Sequence, residues 1–571
     1  MTPCLLLLPL LLPQADTTLV SLGLNGYAAA GASGQPSVSA EARWIAFSSL
    51  APNLVANDTN SLQDIFVLDR RVGGITRASV SSAGTPANNH AIFPRISADG
   101  RWVSFQSFAS NLVAGDGNGL EDIFLRDLQT NTTECVSVSP QGLPGSGGPT
   151  GPFFPYEVAS GLSAEGRWVV FASAFTNLVP GDTNAVRDIF LRDRQSNTTR
   201  RVSVSSFGVQ ANGGSRWPVI TRDGRWIAFQ SAASNLVTGD TNGKADVFLH
   251  DTLRGTTELV SRAHDGALAN ADCEQPTLSE SGLRVAFSSF SSNLIPGDTN
   301  GQFDIFVREL DTRITRRASV GLGGVQSNGN SYAPELSANG RYLAYWSLAT
   351  NHVAADLNAR ADVFRTDLDT GTTVRVSLSE TGAEVGDNST APSISADARF
   401  VSWESTGFFV PNDFNSQSDV LLRDAASFLP ATACTATTDQ AGCSPRLQFS
   451  GLAVLSHPGP LLIEAAPLRN QRPGMLLYSL RGAWHPLRQA VLCLDAPLAR
   501  TPLQLSGGSP GSVSDCSGAF GLDFKQWIGS GVPGNLLPGT VVHCQYWYRE
   551  AVPGIGTVDR FSDSGYFELA P

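Results

Sequence analysis

The feature that most constrains this chain is a seven-fold repeat. The pattern Asp-x-Asn-x-x-x-Asp, running into an apolar segment, occurs at Asp58/Asn60/Asp64, Asp116/Asn118/Asp122, Asp182/Asn184/Asp188 and Asp240/Asn242/Asp246. It occurs again at Asp298/Asn300/Asp304, Asp356/Asn358/Asp362 and Asp413/Asn415/Asp419. Self-similarity at a fixed period marks a tandem architecture. The period is set by the aromatic near the end of the first strong apolar segment: Phe47, Phe105, Phe171, Phe229, Phe287, Tyr345 and Trp403. These recur every 58 residues, except for a spacing of 66 before Phe171, where one unit carries an insertion.

Each unit holds four short strand signals. Arg101–Ser107 alternates and follows the turn pair Asp99-Gly100. Asp122–Asp127 is a second strand, Thr133–Val138 a third, and a short innermost strand follows a proline, as in Pro94–Ser97. Nothing repeats at helical spacing. Four strands per unit in a tandem array predict β-propeller blades. The Thr-x-x-Val-Ser-Val strand places Ser79, Ser137, Ser203, Ser261, Ser319 and Ser377 in register, and no seventh copy follows Asp424. It stands at the other end, where Ser21 lies 58 residues before Ser79. The N-terminal strand is therefore expected to complete the last blade and close the ring, which removes exposed sheet edges.

The motif Ser-Ala-Asp-Gly-Arg-Trp at Ser97–Trp102, with Asp-Ile-Phe-Leu at Asp122–Leu125, resembles the TolB-like (WD-repeat-like) β-propeller repeats of exported bacterial proteins. The resemblance spans about residues 17–425 and implies the fold. It implies no activity, because propellers serve many roles.

Composition agrees with this class. Charged residues are 16% of the chain, beside 56 Gly and 33 Pro, which suits a turn-rich all-β protein. A net charge of −12 excludes a nucleic-acid partner, since phosphate binding needs a basic surface. Residues 1–15 hold an apolar run too short to span a bilayer and read as a signal peptide, so the chain is expected to be exported, periplasmic or extracellular. No later stretch is apolar enough for a membrane helix. The expected organisation is a signal peptide (1–15), a seven-bladed propeller (16–425), a linker (426–445) and a small C-terminal β-sandwich (446–571). Cys434, Cys443, Cys493, Cys516 and Cys544 cluster near the C-terminus, which favours disulfides there, with Cys434–Cys443 the local pair.

The Asp-x-Asn-x-x-x-Asp loops have two readings. One is a structured turn, in which Asp and Asn bond their own backbone and the trailing Asp takes turn amides or an Arg of the next blade. The other is calcium. Hard oxygens at positions 1, 3 and 7 suit Ca²⁺, best in the Asp-Thr-Asn-Gly copies at Asp240 and Asp298. Position 5 is Lys244 or Gln302 rather than an acid, so the loop is not an EF-hand.

The loop from second to third strand and the segment joining blades should emerge on one face. The joining segments vary most and are where recognition is expected. They supply His90, Phe93, Phe154, Tyr156, Arg216, Trp217, Glu274 and Tyr332 as ligand-face candidates. Aromatics with acids around a ring mouth suit a protein, peptide or glycan ligand. No H-E-x-x-H, G-x-S-x-G, P-loop or dinucleotide fingerprint occurs. The first expectation is a non-enzymatic interaction protein with no catalytic residues. The alternatives are a polysaccharide hydrolase or lyase, with Glu274, Asp387 and His90 as its candidates, and a calcium-stiffened envelope protein.

Overall fold

The computed structural model describes residues 17–147, 160–354 and 356–425, together with the backbone of strands between 446 and 568. Two compact units divide the chain, Met1–Ala425 and Ala426–Pro571.

The first unit contains seven four-stranded antiparallel sheets and one short 3₁₀ turn. Blade 1 runs from its inner strand Ser33–Val38 through Trp44–Ser49 and Asp64–Asp69 to the outer strand Gly74–Arg77. Blades 2 to 6 repeat that order, with inner strands starting at Ala91, Ser160, Ser215, Cys273 and Ser331. Blade 7 has three strands from its own repeat, Ser389–Ile394, Phe400–Ser405 and Asp419–Asp424. Its fourth is Thr17–Leu19, paired antiparallel so that Thr17 faces Arg423 and Leu19 faces Leu421. The chain is thus an all-β, seven-bladed propeller closed by its N-terminal strand, as the serine register predicts.

The second and third strands are apolar on both faces because each blade is packed between two others. In blade 1 the second strand, Trp-Ile-Ala-Phe-Ser-Ser, is buried from its second residue onward. Cross-strand aromatic pairs run through the sheets of blades 1 to 6, among them Phe47–Phe66 at 6.0 Å, Phe105–Phe124 at 5.8 Å and Phe229–Phe248 at 5.9 Å between centroids. Such pairs contribute about 0.5–1.5 kcal/mol beyond their burial. Blade 7 departs from this, setting Trp403 opposite Leu421. Ile65 and Val67 of blade 1 share a core with Val103 and Phe105 of blade 2. Phe400 and Leu422 of blade 7 do the same with Ile45 and Phe47 of blade 1.

The Asp-Gly-Arg-Trp motif is a turn and a joint between blades. Asp99 Oδ1 accepts the Ser97 hydroxyl and the Arg101 amide, which fixes the turn. Gly100 takes φ +75°, and a Cβ there would stand 1.9 Å from the Trp44 ring of the preceding blade. Gly166, Gly224 and Gly282 meet Trp102, Trp168 and Trp226 in the same way. Arg43, Arg101, Arg167 and Arg225 fork onto Asp69, Asp127, Asp193 and Asp251 at the end of the third strand.

Two strand boundaries differ from the sequence reading. The innermost strand does not begin after the proline. It begins three residues earlier, as Ala91–Ile96, and passes through Pro94 on a register shift between Ile92 and Arg95. A proline lacks an amide, so a bulge is where a strand tolerates it. The outer strand ends at Cys135 rather than Val138, because Ser137 turns inward to bond Asp122.

Among its described residues the second unit contains a three-stranded sheet, a five-stranded sheet and a two-stranded hairpin. Its strands include Pro473–Ser479, Ala490–Leu494 and Val541–Val552. Packing of these sheets into a sandwich, the signal segment 1–15, the 426–445 linker and the C-terminal cysteine pairs all lie outside the described residues.

Candidate functional site

The Asp-x-Asn loops join second to third strands, and the inter-blade segments lie beside them. Asn88 of the segment entering blade 2 bonds Ser110 and Asn111 of that blade's loop. The His90 ring accepts the Gln63 amide at 3.0 Å. The repeated loops and the variable joining segments therefore share one face, as expected.

Each trailing Asp is buried and held by the serine of the outer segment. Ser79, Ser137, Ser203, Ser261, Ser319, Ser377 and Ser21 donate to Oδ1 of Asp64, Asp122, Asp188, Asp246, Asp304, Asp362 and Asp419 at 2.5–2.6 Å. The same hydroxyl accepts the following backbone amide, for example that of Ile65.

The loop asparagine closes each turn. Asn60 donates to Asp64 Oδ2 at 2.8 Å while accepting the Leu62 amide. Asn118, Asn184, Asn242, Asn300 and Asn358 donate likewise to Asp122, Asp188, Asp246, Asp304 and Asp362 at 2.6–3.1 Å. Each of these five also donates to a backbone carbonyl of the segment entering the next blade, as Asn184 does to Ala211, Asn300 to Ser327 and Asn358 to Val385. Their Oδ1 atoms accept the amide two residues on: Val186 for Asn184, Gln302 for Asn300 and Arg360 for Asn358. Asn118, Asn242 and Asn415 accept the amides of Leu120, Lys244 and Gln417. Oxygens expected to face an ion face backbone amides in all seven loops, because Asn bonds its own backbone two residues on more readily than it waits for a ligand.

An arginine of the blade's own outer strand, not of the next blade, completes four of the seven loops. Arg77 pairs with Asp58 and Asp64 at 2.9 and 3.5 Å. Arg201 pairs with Asp182 and Asp188, and Arg317 with Asp298 and Asp304. Arg375 lies at 3.1 Å from Asp356, 3.7 Å from Asp362 and 2.5 Å from Glu384. The oxygens of those three acids lie within 4.8 Å of one another, so a cluster that could suit a metal already holds a guanidinium. Asp298, favoured for calcium from its sequence, likewise faces Arg317.

In blades 2, 4 and 7 the residue at that arginine's register is Cys135, Leu259 or Leu19. Burial then pushes the trailing carboxyls up, to about 6 for Asp122 and Asp246 and about 7 for Asp419. The first acids of those loops, Asp116, Asp240 and Asp413, rise through burial as well. Asp356 also rises to about 6, through burial, although Arg375 pulls it down.

The channel mouth is built from the second and third residues of the inner strands. The residue before the proline takes positive φ at Gln35, Phe93, Trp217, Gln275, Ala333 and Ala391. This conformation is sparse for non-glycine residues and is further disfavoured before proline. Neighbouring blades meet the amides it exposes. Glu404 accepts from Gln35, Gln35 from Phe93, and Gln275 from Ala333 at 2.8–2.9 Å. Deeper in the channel, Arg95 of blade 2 reaches Glu335 of blade 6 at 3.3 Å, across the ring.

At blades 5 and 6 the mouth carries a row of four rings. Phe290–Phe303, Phe303–Tyr332 and Tyr332–Trp346 stand 5.5, 5.1 and 4.7 Å apart. Phe290 is 49% exposed, and the other three are half-buried. Glu274 is close enough to raise the Tyr332 phenol, which burial raises first. Burial and Asp272 raise Glu274, and Arg216 pulls it down.

Of the sequence candidates, Arg216, Glu274 and Tyr332 fall together on adjacent blades. Trp217 is half-buried at its bulge, and Phe93 is buried. Phe154 and Tyr156 lie outside the described residues. His90, Glu274 and Asp387 lie on blade 2's entry segment, blade 5 and blade 7's entry segment, with no bond joining any two of them. The sequence reading missed Phe290, Phe303 and Trp346, because they belong to the repeated loop and second strand, where aromatics look like core.

The fold and mouth define a seven-bladed propeller with an aromatic and acidic patch on its loop face. Among solved structures it matches TolB from Acinetobacter baumannii, at 15% identity and a TM-score of 0.33, over 62% of this chain and 65% of that one. A TolB assigned in Agrobacterium tumefaciens matches at 14% identity and 0.33, over 53% of this chain and 88% of that one. Pyrococcus horikoshii acylaminoacyl peptidase matches at 10% and 0.41, over 77% and 59%. The propeller class rests on the sheet topology. No family model and no curated protein matches the chain. No helix among the described residues is long and apolar enough to cross a membrane.

Proposed function

We propose that this is an exported, non-enzymatic propeller that binds a peptide or glycan at the channel mouth on its loop face. The row Phe290–Phe303–Tyr332–Trp346 beside Glu274 and Arg216 carries this reading. Contiguous, partly exposed rings bounded by opposite charges offer stacking area and fixed polar partners, the usual make-up of a recognition site. The apolar N-terminal run and the resemblance to exported repeat proteins support export.

Peptide and glycan arrays probed with the full chain test the proposal. A binder should emerge, and Tyr332→Ala or Phe290→Ala should weaken it about tenfold or more, as for a central aromatic anchor. Unchanged binding in both variants would move the site elsewhere. Release of reducing ends from a polysaccharide, lost in Glu274→Gln, would favour the hydrolase or lyase reading instead.

A further inference from the structure

Blade 7 differs from its sisters in which carboxylate oxygens are satisfied. In blades 1, 3, 5 and 6 a guanidinium joins Oδ1 of the first Asp of the loop, or lies beside it, and approaches Oδ2 of the last. In blade 7 the corresponding atoms are Asp413 Oδ1 and Asp419 Oδ2. Both are buried and, among the described residues, have no partner at hydrogen-bonding geometry; the same holds for Asp413 Oδ2, although the Asn415 amide stands near enough to lower Asp413 against its burial. Asp413 is 3% exposed and Asp419 0%. Leu19 occupies the arginine's register.

The loop asparagine is also redirected. Elsewhere it donates to Oδ2 of the trailing Asp, but Asn415 donates to the Ala29 carbonyl at 2.5 Å. Asn415 and the Ala29 amide stand near enough to lower Asp419 somewhat, yet neither reaches Oδ2 with hydrogen-bonding geometry. Blades 2 and 4 lack the arginine too, but both are better relieved. Asn118 donates to Asp122 at 2.6 Å and Asn242 to Asp246 at 2.8 Å. In blade 4 the charge of Arg262 acts on both acids. Blade 7 has neither the bond nor the cation.

We propose that blade 7 binds a divalent hard cation of the calcium class between Asp413 and Asp419, where four sister blades carry a guanidinium. Three carboxylate oxygens with no nitrogen or sulfur donor suit calcium, with water completing its shell. An isolated buried carboxylate is costly unless it is paired or coordinates a metal. Asp413 also lines a surface cavity of about 490 Å³ with Glu380, Thr381, Phe408, Pro411 and Phe414, which gives an ion a path from solvent.

The test is calcium binding by the full-length protein in equilibrium dialysis, with thermal melts in EDTA and in CaCl₂. An affinity of roughly 0.1–1 mM is expected, as for other oxygen sites built for extracellular calcium. Tenfold excess over Kd should raise the melting temperature by roughly 1–2 °C. Leu19→Arg supplies the sister guanidinium, so it should remove one bound calcium per chain and flatten the calcium response. Asp413→Asn, which tests the site without adding bulk, should do the same. Wild-type protein that binds no calcium overturns the proposal, as does either variant binding as much as wild type. Stabilisation by guanidinium or choline but not by calcium would overturn the metal assignment in favour of an organic cation.

Discussion

Blades 6 and 7 adjoin each other in sequence and have the same backbone plan, yet they treat the same acids in opposite ways. Blade 6 brings Asp356, Asp362 and Glu384 together and closes them with Arg375, whose side chain is 5% exposed. Blade 7 brings Asp413 beside Asp419 and faces them with Leu19. The repeat fixes where the carboxylates go, through the serine bond and the turn. It does not fix how their charge is balanced, because that depends on one outer-strand residue free to vary. Blade 7's outer strand is also the ring's closing strand, so its side chains come from the far end of the chain.

The sharpest way to break this comparison is to make blade 6 resemble blade 7. Arg375→Leu leaves three acids, two of them buried, without their cation. Removing one partner of a buried ion pair costs about 3–5 kcal/mol, read as a lower urea midpoint for the propeller transition. A loss under about 1 kcal/mol would mean that the guanidiniums are incidental.

Blade 4 sharpens the comparison through a second lost charge. Its third strand carries His250 where blades 2, 3, 5 and 7 carry Arg126, Arg192, Arg308 and Arg423. His250 Nδ1 lies 2.9 Å from the Thr257 hydroxyl. Burial, and then the nearby Arg200, lower its pKa to about 4, against a weak opposing pull from Asp251. The folded state thus holds it neutral while the unfolded chain takes up a proton near pH 6.5. Its contribution is present above about pH 6.5 and is lost as pH falls towards about 4, by about 3 kcal/mol at most. His250→Arg should remove that acid-dependent step. The difference between wild-type and variant stability across pH isolates it from the buried carboxyls with raised pKa, which titrate in the opposite sense.

The serine bond should cost less to break, and unequally. Ser79→Ala leaves Asp64 with Arg77 and Asn60, whereas Ser21→Ala leaves Asp419 with only the weaker pulls of Asn415 and the Ala29 amide. Bonds to a charged acceptor contribute about 1.5–3 kcal/mol. Ser79→Ala should fall at the low end and Ser21→Ala at the high end in chemical unfolding. Equal losses would show that the arginine does not share the load.

Much of this was legible in the sequence. Seven aromatics spaced by 58 residues, once by 66, and Ser21 in register 58 residues before Ser79, determine both the blade count and the closing strand. Arg77, Arg201, Arg317 and Arg375 were equally visible, as were Cys135, Leu259 and Leu19 in their places. Their meaning was not, because an outer-strand residue meets a loop 13 to 19 positions earlier only once sheet register is known. The asparagines posed the same problem at shorter range. Asn184, Asn300 and Asn358 suit a turn and a cation site equally well until the carbonyls of the next blade's entry segment are placed beside them. The bulges at Phe93 and Trp217 were hidden for a similar reason: positive φ before proline runs against local preference. The ring row was missed because half of it lies on the repeated core pattern.

The smallest expected effect comes from the ion pair that crosses the channel. Arg95 and Glu335 meet at 3.3 Å with side chains 25% and 28% exposed, so water screens both partners. Pairs of this kind contribute about 0.2–1 kcal/mol and weaken with salt, because exposed charges are screened over about 8 Å at physiological ionic strength. Glu335→Gln should therefore lower stability by under about 1 kcal/mol, and the difference from wild type should vanish in about 1 M NaCl. Arg375→Leu should keep most of its cost in the same salt, because its acids are largely shielded from solvent. If Glu335→Gln instead cost as much as Arg375→Leu, burial would not be what separates strong from weak pairs here. The contrast between guanidinium-filled and guanidinium-free blades would then need a different physical basis, one that acts through the shape of the ring rather than through its buried charge.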